Sequence, residues 1–103
     1  MSLANGAIRD GDAMKNIKVY VDVVVSFRSD GVMLPRIITW EDGCKYEIDQ
    51  VCDIRQAAAM KAGGQGDRYT VWINGMQSYL FFERNGSLDG NNIGRWFVER
   101  KIA

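Results

Sequence analysis

RYTVWINGMQSYLFF, residues 68–82, is the stretch whose register decides the fold. Asn74-Gly75 at its centre is a strong signal for a two-residue hairpin turn. A type I′ turn needs positive φ at both central residues, and Asn and Gly tolerate that conformation best. The two-residue loop pairs Ile73 with Met76, Val71 with Ser78 and Tyr69 with Leu80, and Phe82 follows on the same side. That side is apolar and reads as the core face. The register also creates a second face, carrying Arg68, Thr70, Trp72, Gln77, Tyr79 and Phe81. On it Arg68 lies opposite Phe81 and Trp72 lies diagonal to Tyr79, both within reach across a strand pair. A strand in a small barrel needs only one apolar face, so the second is surplus.

Working outward, residues 17–28 alternate with period 2. Ile17, Val19, Val21, Val23, Val25 and Phe27 share one face, with Val24 the exception on the other. Twelve such residues predict a strand longer than the usual five or six, so it either bends or pairs with two neighbours. VDVVVSF left as a bare edge would invite aggregation, so it is expected to be paired. After the turn at Ser29-Asp30-Gly31, Pro35 opens a second strand running from Arg36 to Trp40. A three-residue loop with Gly43 left-handed sets Trp40 opposite Cys44 and Ile38 opposite Tyr46. It is preferred to a two-residue Asp-Gly turn because it gathers the apolar residues on one face. The third strand is expected to continue through Ile48, Val51 and Ile54, with a bulge near Asp49-Gln50. Residues 56–62 read as a short helical turn stopped by Gly63-Gly64, or as extended chain. The last strand runs from Arg95 to Ile102, with Trp96 and Val98 on one face and Phe97 on the other. The fold class is therefore all-β: a small antiparallel barrel, SH3-like or OB-like, of five or six strands with at most one short helical turn.

Length and composition set the outer bounds. A chain of 103 residues makes one domain, here residues 16–103 behind an N-terminal tail or arm of residues 1–15. Met14 reads as an alternative native start. Apolar residues make up 47%, enough for a core. The 13 basic and 13 acidic residues cancel, which argues against a general polycation for nucleic acid and permits only a local basic patch. There is no histidine, so histidine acid–base chemistry, Ser-His triads and the usual zinc sites are excluded within the chain. Along one extended strand Cys44 and Cys52 would lie roughly 26 Å apart, too far for a disulfide. Unpaired thiols fit a reducing compartment, and no apolar run has the length of a signal-peptide core or a membrane span. The expected location is the cytoplasm, away from membranes.

Two features are candidates for function. The first is the aromatic face, with Trp72, Tyr79, Phe81 and Arg68 as binding residues. It is read either as covered within the chain by residues 1–16 or 57–62, or as a contact between identical chains, or as a ligand platform. The second is the loop KAGGQGDR, residues 61–68, where glycines flanked by Lys61 and Arg68 suit a phosphate. It lacks the Lys-Ser/Thr of a P-loop, so a plain hairpin loop is the stronger reading. Lys61 and Arg55 would add a basic rim to the aromatic face. No catalytic residue, metal site or cofactor is expected, and the chain is not read as an enzyme. Neither cysteine has a histidine partner, and Glu41, Asp42 and Asp49 suit turns and strand surfaces.

The run WEDGCKYEIDQVCDIRQAAAMKAGGQGDRYTVWINGMQSYLFFE, residues 40–83, with RWFVE at 95–99, resembles a group of small proteins of Firmicutes, mainly clostridia. Their pattern is WEDG-x-KYEID, then AGG-x-G-x-RYT, then YLFFE and RWFVE, and the likeness spans about residues 33–100. The resemblance implies no chemistry and carries over no site residue. Genes of this group lie near Y-family, lesion-bypass DNA polymerases, which implies an accessory role in DNA repair. The resulting expectation is an accessory module for protein–protein contact or self-association, a homodimer included. The alternative is binding of single-stranded nucleic acid, with the aromatics stacking bases and Arg68, Lys61 and Arg55 touching phosphates.

Overall fold

Period-2 patterning over Asn16–Phe27 yields one strand, β1, and the computed structural model shows that its two halves serve different neighbours. The structure describes residues 16–56, 66–85 and 90–101. The other strands are β2 (Met33–Thr39), β3 (Lys45–Glu47), β4 (Gln50–Arg55), β5 (Asp67–Ile73), β6 (Met76–Arg84) and β7 (Gly94–Lys101). The first half of β1 pairs with β7, from Asn16↔Lys101 to Val21↔Trp96. Its second half pairs with β2, from Asp22↔Thr39 to Phe27↔Met33. The valine-rich stretch is thus paired along its length, as its hazard as an edge required. The sheet order is β3-β2-β1-β7-β6-β5-β4, with every pair antiparallel.

The expected all-β, barrel-like class holds, with seven strands among the described residues where five or six were expected. The difference lies at Ile48-Asp49. The third strand was expected to run on from Cys44 to Ile54 with a bulge near Asp49-Gln50. Instead β3 and β4 stand at opposite ends of the sheet, and Ile48 and Asp49 carry the chain between them. The Ile48 N–H donates to the Arg36 carbonyl at 2.8 Å, and the Asp49 N–H donates to the Trp72 carbonyl at 2.8 Å. Two adjacent residues therefore tie the two sheet ends together, and the sheet curls into a half-barrel. The bulge falls later, between Val51 and Asp53. Local alternation cannot tell a bulge from a change of partner, because both interrupt the period once.

Turn chemistry is as the residues dictate. Asn74 and Gly75 have φ of 51° and 76°, and β5 and β6 pair Ile73↔Met76, Val71↔Ser78 and Tyr69↔Leu80. Gly43 is left-handed at 88°, the Trp40 N–H donates to the Cys44 carbonyl, and Ile38 faces Tyr46. β2 starts at Met33, earlier than expected, and includes Pro35. The register shifts there, with Val24↔Ile37 followed by Val25↔Pro35, so Arg36 bulges out and the missing proline N–H is tolerated. The helical turn over 56–62 and the tail over 1–15 fall, apart from Gln56, outside the described residues. Among the described residues no helix is long and apolar enough to cross a membrane.

The core fills the concave side. Val71 and Leu80 are fully buried, and Tyr69, Phe82, Trp96, Ile38 and Ile48 pack around them. Trp96 is the hub, with the rings of Tyr69 and Phe82 each 5.0 Å away. Gly94 is held by close approach: a Cβ there would lie 2.5 Å from the Glu83 carbonyl oxygen and 2.6 Å from the Phe82 ring. Leu80→Ala is expected to cost about 2–5 kcal/mol. Gly94→Ala is expected to cost about 1–3 kcal/mol through overpacking at the start of β7. Denaturant unfolding of both variants against the wild type checks these values.

Candidate functional site: the outer aromatic face

Alternation along each strand sends every second side chain to the convex side. Arg68, Thr70 and Trp72 come from β5, Gln77, Tyr79, Phe81 and Glu83 from β6, Arg95, Phe97 and Glu99 from β7, and Lys18 and Tyr20 from β1. The registers line up one row across five strands: Tyr20↔Phe97, Phe97↔Phe81, Phe81↔Arg68 and Arg68↔Arg55. Within it the Phe81 and Phe97 rings stack at 5.0 Å and 8°, and Tyr20 meets Phe97 edge-on at 5.9 Å. Phe97 is only 1% exposed although it points away from the core. Its burial makes the row a second, smaller apolar layer.

Cations lie over these rings. The Arg95 guanidinium is 3.7 Å from the Tyr20 ring centre, Lys18 Nζ is 4.8 Å from that of Phe97, and Arg68 is 4.8 Å from that of Tyr79. Glu83 ties one end together. Lys18 Nζ donates to its Oε1 at 2.7 Å, the Tyr20 hydroxyl donates to the same oxygen at 3.1 Å, and Arg95 lies 3.6 Å from Oε2. The Lys18 hydrogen bond is the main reason the Glu83 carboxyl sits below the usual glutamate range, against a smaller opposing effect of burial.

The sequence-expected site residues fall as follows. Arg68, Trp72, Tyr79 and Phe81 come together on this face, with Trp72 36% and Tyr79 47% exposed, and Phe81 and Arg68 half-buried. Arg68 Nε is buried without a hydrogen-bond partner, and Arg68 has no carboxylate partner among the described residues. Arg55 reaches the edge of the row but is exposed and paired with Asp53 on its own strand at 3.0 Å. Lys61 and residues 62–65 of the glycine loop lie outside the described residues, as do, apart from Asn16, both intrachain covers considered for the face. Sequence reasoning missed Tyr20, Phe97, Lys18, Glu83 and Arg95. The signal was present in part, since Tyr20 stood on the polar side of its strand and Phe97 opposed Trp96. The pairing of the first strand with the last was needed to join them.

Both cysteines are exposed and free. The Asp42 carboxylate, through a side-chain hydrogen bond and its charge, raises the Cys44 pKa above the ordinary thiol value. Compared with family models, curated proteins and solved structures, the chain matches none.

A depressed carboxyl pKa adds stability that is full above the unfolded value, about 4.3, and lost as pH falls through the lower folded value. Glu83→Gln is therefore expected to lower stability at pH 7 by up to about 1 kcal/mol. That difference should close as the pH drops below the normal glutamate range. Unfolding curves of both proteins from pH 7 to pH 2 check it.

Proposed function

We propose that this chain is a small interaction module whose outer face, on β5 and β6, docks onto a protein surface, a second copy of the chain included. One observation carries the reading: exposed Trp72 and Tyr79 lie on the hairpin side of the stacked Phe81–Phe97 pair, beside an Arg68 guanidinium that has no carboxylate partner among the described residues. Trp, Tyr and Arg are the residue types that dominate protein hot spots, and a preformed stack limits the ordering cost of docking. The charge pattern favours protein over nucleic acid. Lys18 and Arg95 share Glu83, and Arg55 is paired with Asp53, which leaves Arg68 as the one cation of this row without a carboxylate among the described residues. A backbone-tracking groove for single strands needs several free cations. The raised Cys44 pKa and the lack of histidine weigh against catalysis. A cytoplasmic site of action belongs to the same proposal. The likeness to the clostridial group makes lesion-bypass polymerases the first partners to try, in an accessory repair role.

A photoreactive side chain at Gln77, which is exposed opposite Trp72, tests the docking face in cells. The expected result is a protein adduct of discrete mass that disappears when Trp72→Ala is added. An adduct with nucleic acid, or the same adduct with and without Trp72→Ala, overturns the reading.

A further inference from the structure

β6 and β7 part company half-way along. Their ladder runs from Arg84↔Gly94 to Phe81↔Phe97 and stops. Yet β6 stays paired with β5 down to Met76, and β7 stays paired with β1 down to Lys101. Among the described residues, 76–80 and 98–101 therefore have a strand partner on one side only. In an antiparallel ladder, hydrogen-bonding direction alternates residue by residue. The Ile73↔Met76 turn pair points Met76, Ser78 and Leu80 at β5, which leaves the N–H and C=O groups of Gln77 and Tyr79 pointing at the gap.

A cavity of about 580 Å3 opens at the same place. Its lining includes inward-facing Val71, Ile73 and Val98 together with outward-facing Tyr79, Phe81 and Glu99. The lining also takes in Ile38, Trp40 and Tyr46 from the other end of the sheet, so the mouth of the half-barrel opens beside this fissure between β6 and β7. The volume lies within the range of about 300–1,000 Å3 usual for binding pockets. Among the described residues Glu99 is the one charged member of the lining, and it has no ion pair.

We infer that the fissure receives an extended peptide segment of a partner protein, paired antiparallel with the rim of β6. Another extended backbone supplies donors and acceptors at the spacing that Gln77 and Tyr79 present. Alternate side chains of the peptide enter the apolar interior, and a lysine or arginine on the other side meets Glu99. This deepens the reading of the chain as an interaction module by naming the form of its partner.

The probe is a blocked octapeptide alternating valine with lysine and threonine, followed by amide hydrogen exchange on the whole chain. In the free protein the Gln77 and Tyr79 amides should exchange fast while Phe81, inside the ladder, is protected. Saturating peptide should slow Gln77 and Tyr79 at least tenfold. N-methylation of the peptide amides that face β6 should abolish the effect. Glu99→Gln should weaken the lysine peptide several-fold and leave a norleucine version unchanged. Absence of protection at millimolar peptide overturns the inference, as does binding that leaves both amides fast. Protection in the free protein that grows with its concentration makes the occupant a second copy and overturns the peptide partner. The adduct from Gln77 is read separately: its presence without peptide protection removes the fissure and leaves the docking face, and the reverse result removes the face alone.

Discussion

Two backbone hydrogen bonds from neighbouring residues hold this fold in its curled form. Ile48 donates to Arg36 at one end of the sheet and Asp49 donates to Trp72 at the other. Only Ile48 and Asp49 separate β3 from β4, so the chain itself joins the two ends of the sheet, and these bonds fix how they meet. With them Ile48 is drawn inside, to 8% exposure, and packs against the cluster around Trp96. Asp49 adds a further tie, since its carboxylate accepts the Asn74 N–H at 3.2 Å and so braces the β5–β6 turn. The concave core, the convex aromatic row and the fissure between β6 and β7 all follow from that curvature.

The two faces of the sheet are built on different physics. The concave side is almost wholly apolar, with Tyr69 and Phe82 tilted against Trp96. The convex side alternates rings with cations, and its carboxylate Glu83 gathers Lys18, Tyr20 and Arg95 at one end. Arg68 breaks that pattern. Its guanidinium lies over Tyr79, its Nε is buried without a partner, and no acid balances it among the described residues. A buried donor left without an acceptor costs free energy.

Much of this was legible residue by residue. Asn74-Gly75 set the β5–β6 register, and with it the surplus face of Trp72, Tyr79 and Phe81. Gly43 chose between two loops because only one left the apolar residues of β2 and β3 on the same side. The length of the valine-rich run implied two neighbours. The break at Ile48-Asp49 was not legible, because one lapse in the period fits a bulge as well as a jump between sheet ends. The stack of Phe81 on Phe97 was not legible either, since 16 positions separate those residues and neither turn signals nor periodicity reports which distant strands pair.

What the sequence determined alone was therefore local: strand period, turn type, the faces of adjacent strands, and the absence of histidine chemistry. Each of these depends on a residue and its near neighbours, through φ preferences and alternating side-chain directions. The order of the strands, the closure at Ile48-Asp49, the burial of Phe97 and the parting of β6 from β7 were decided by the tertiary structure. They depend on how a twisted sheet meets its own far end, and the free energy of that meeting is shared among residues far apart in the chain.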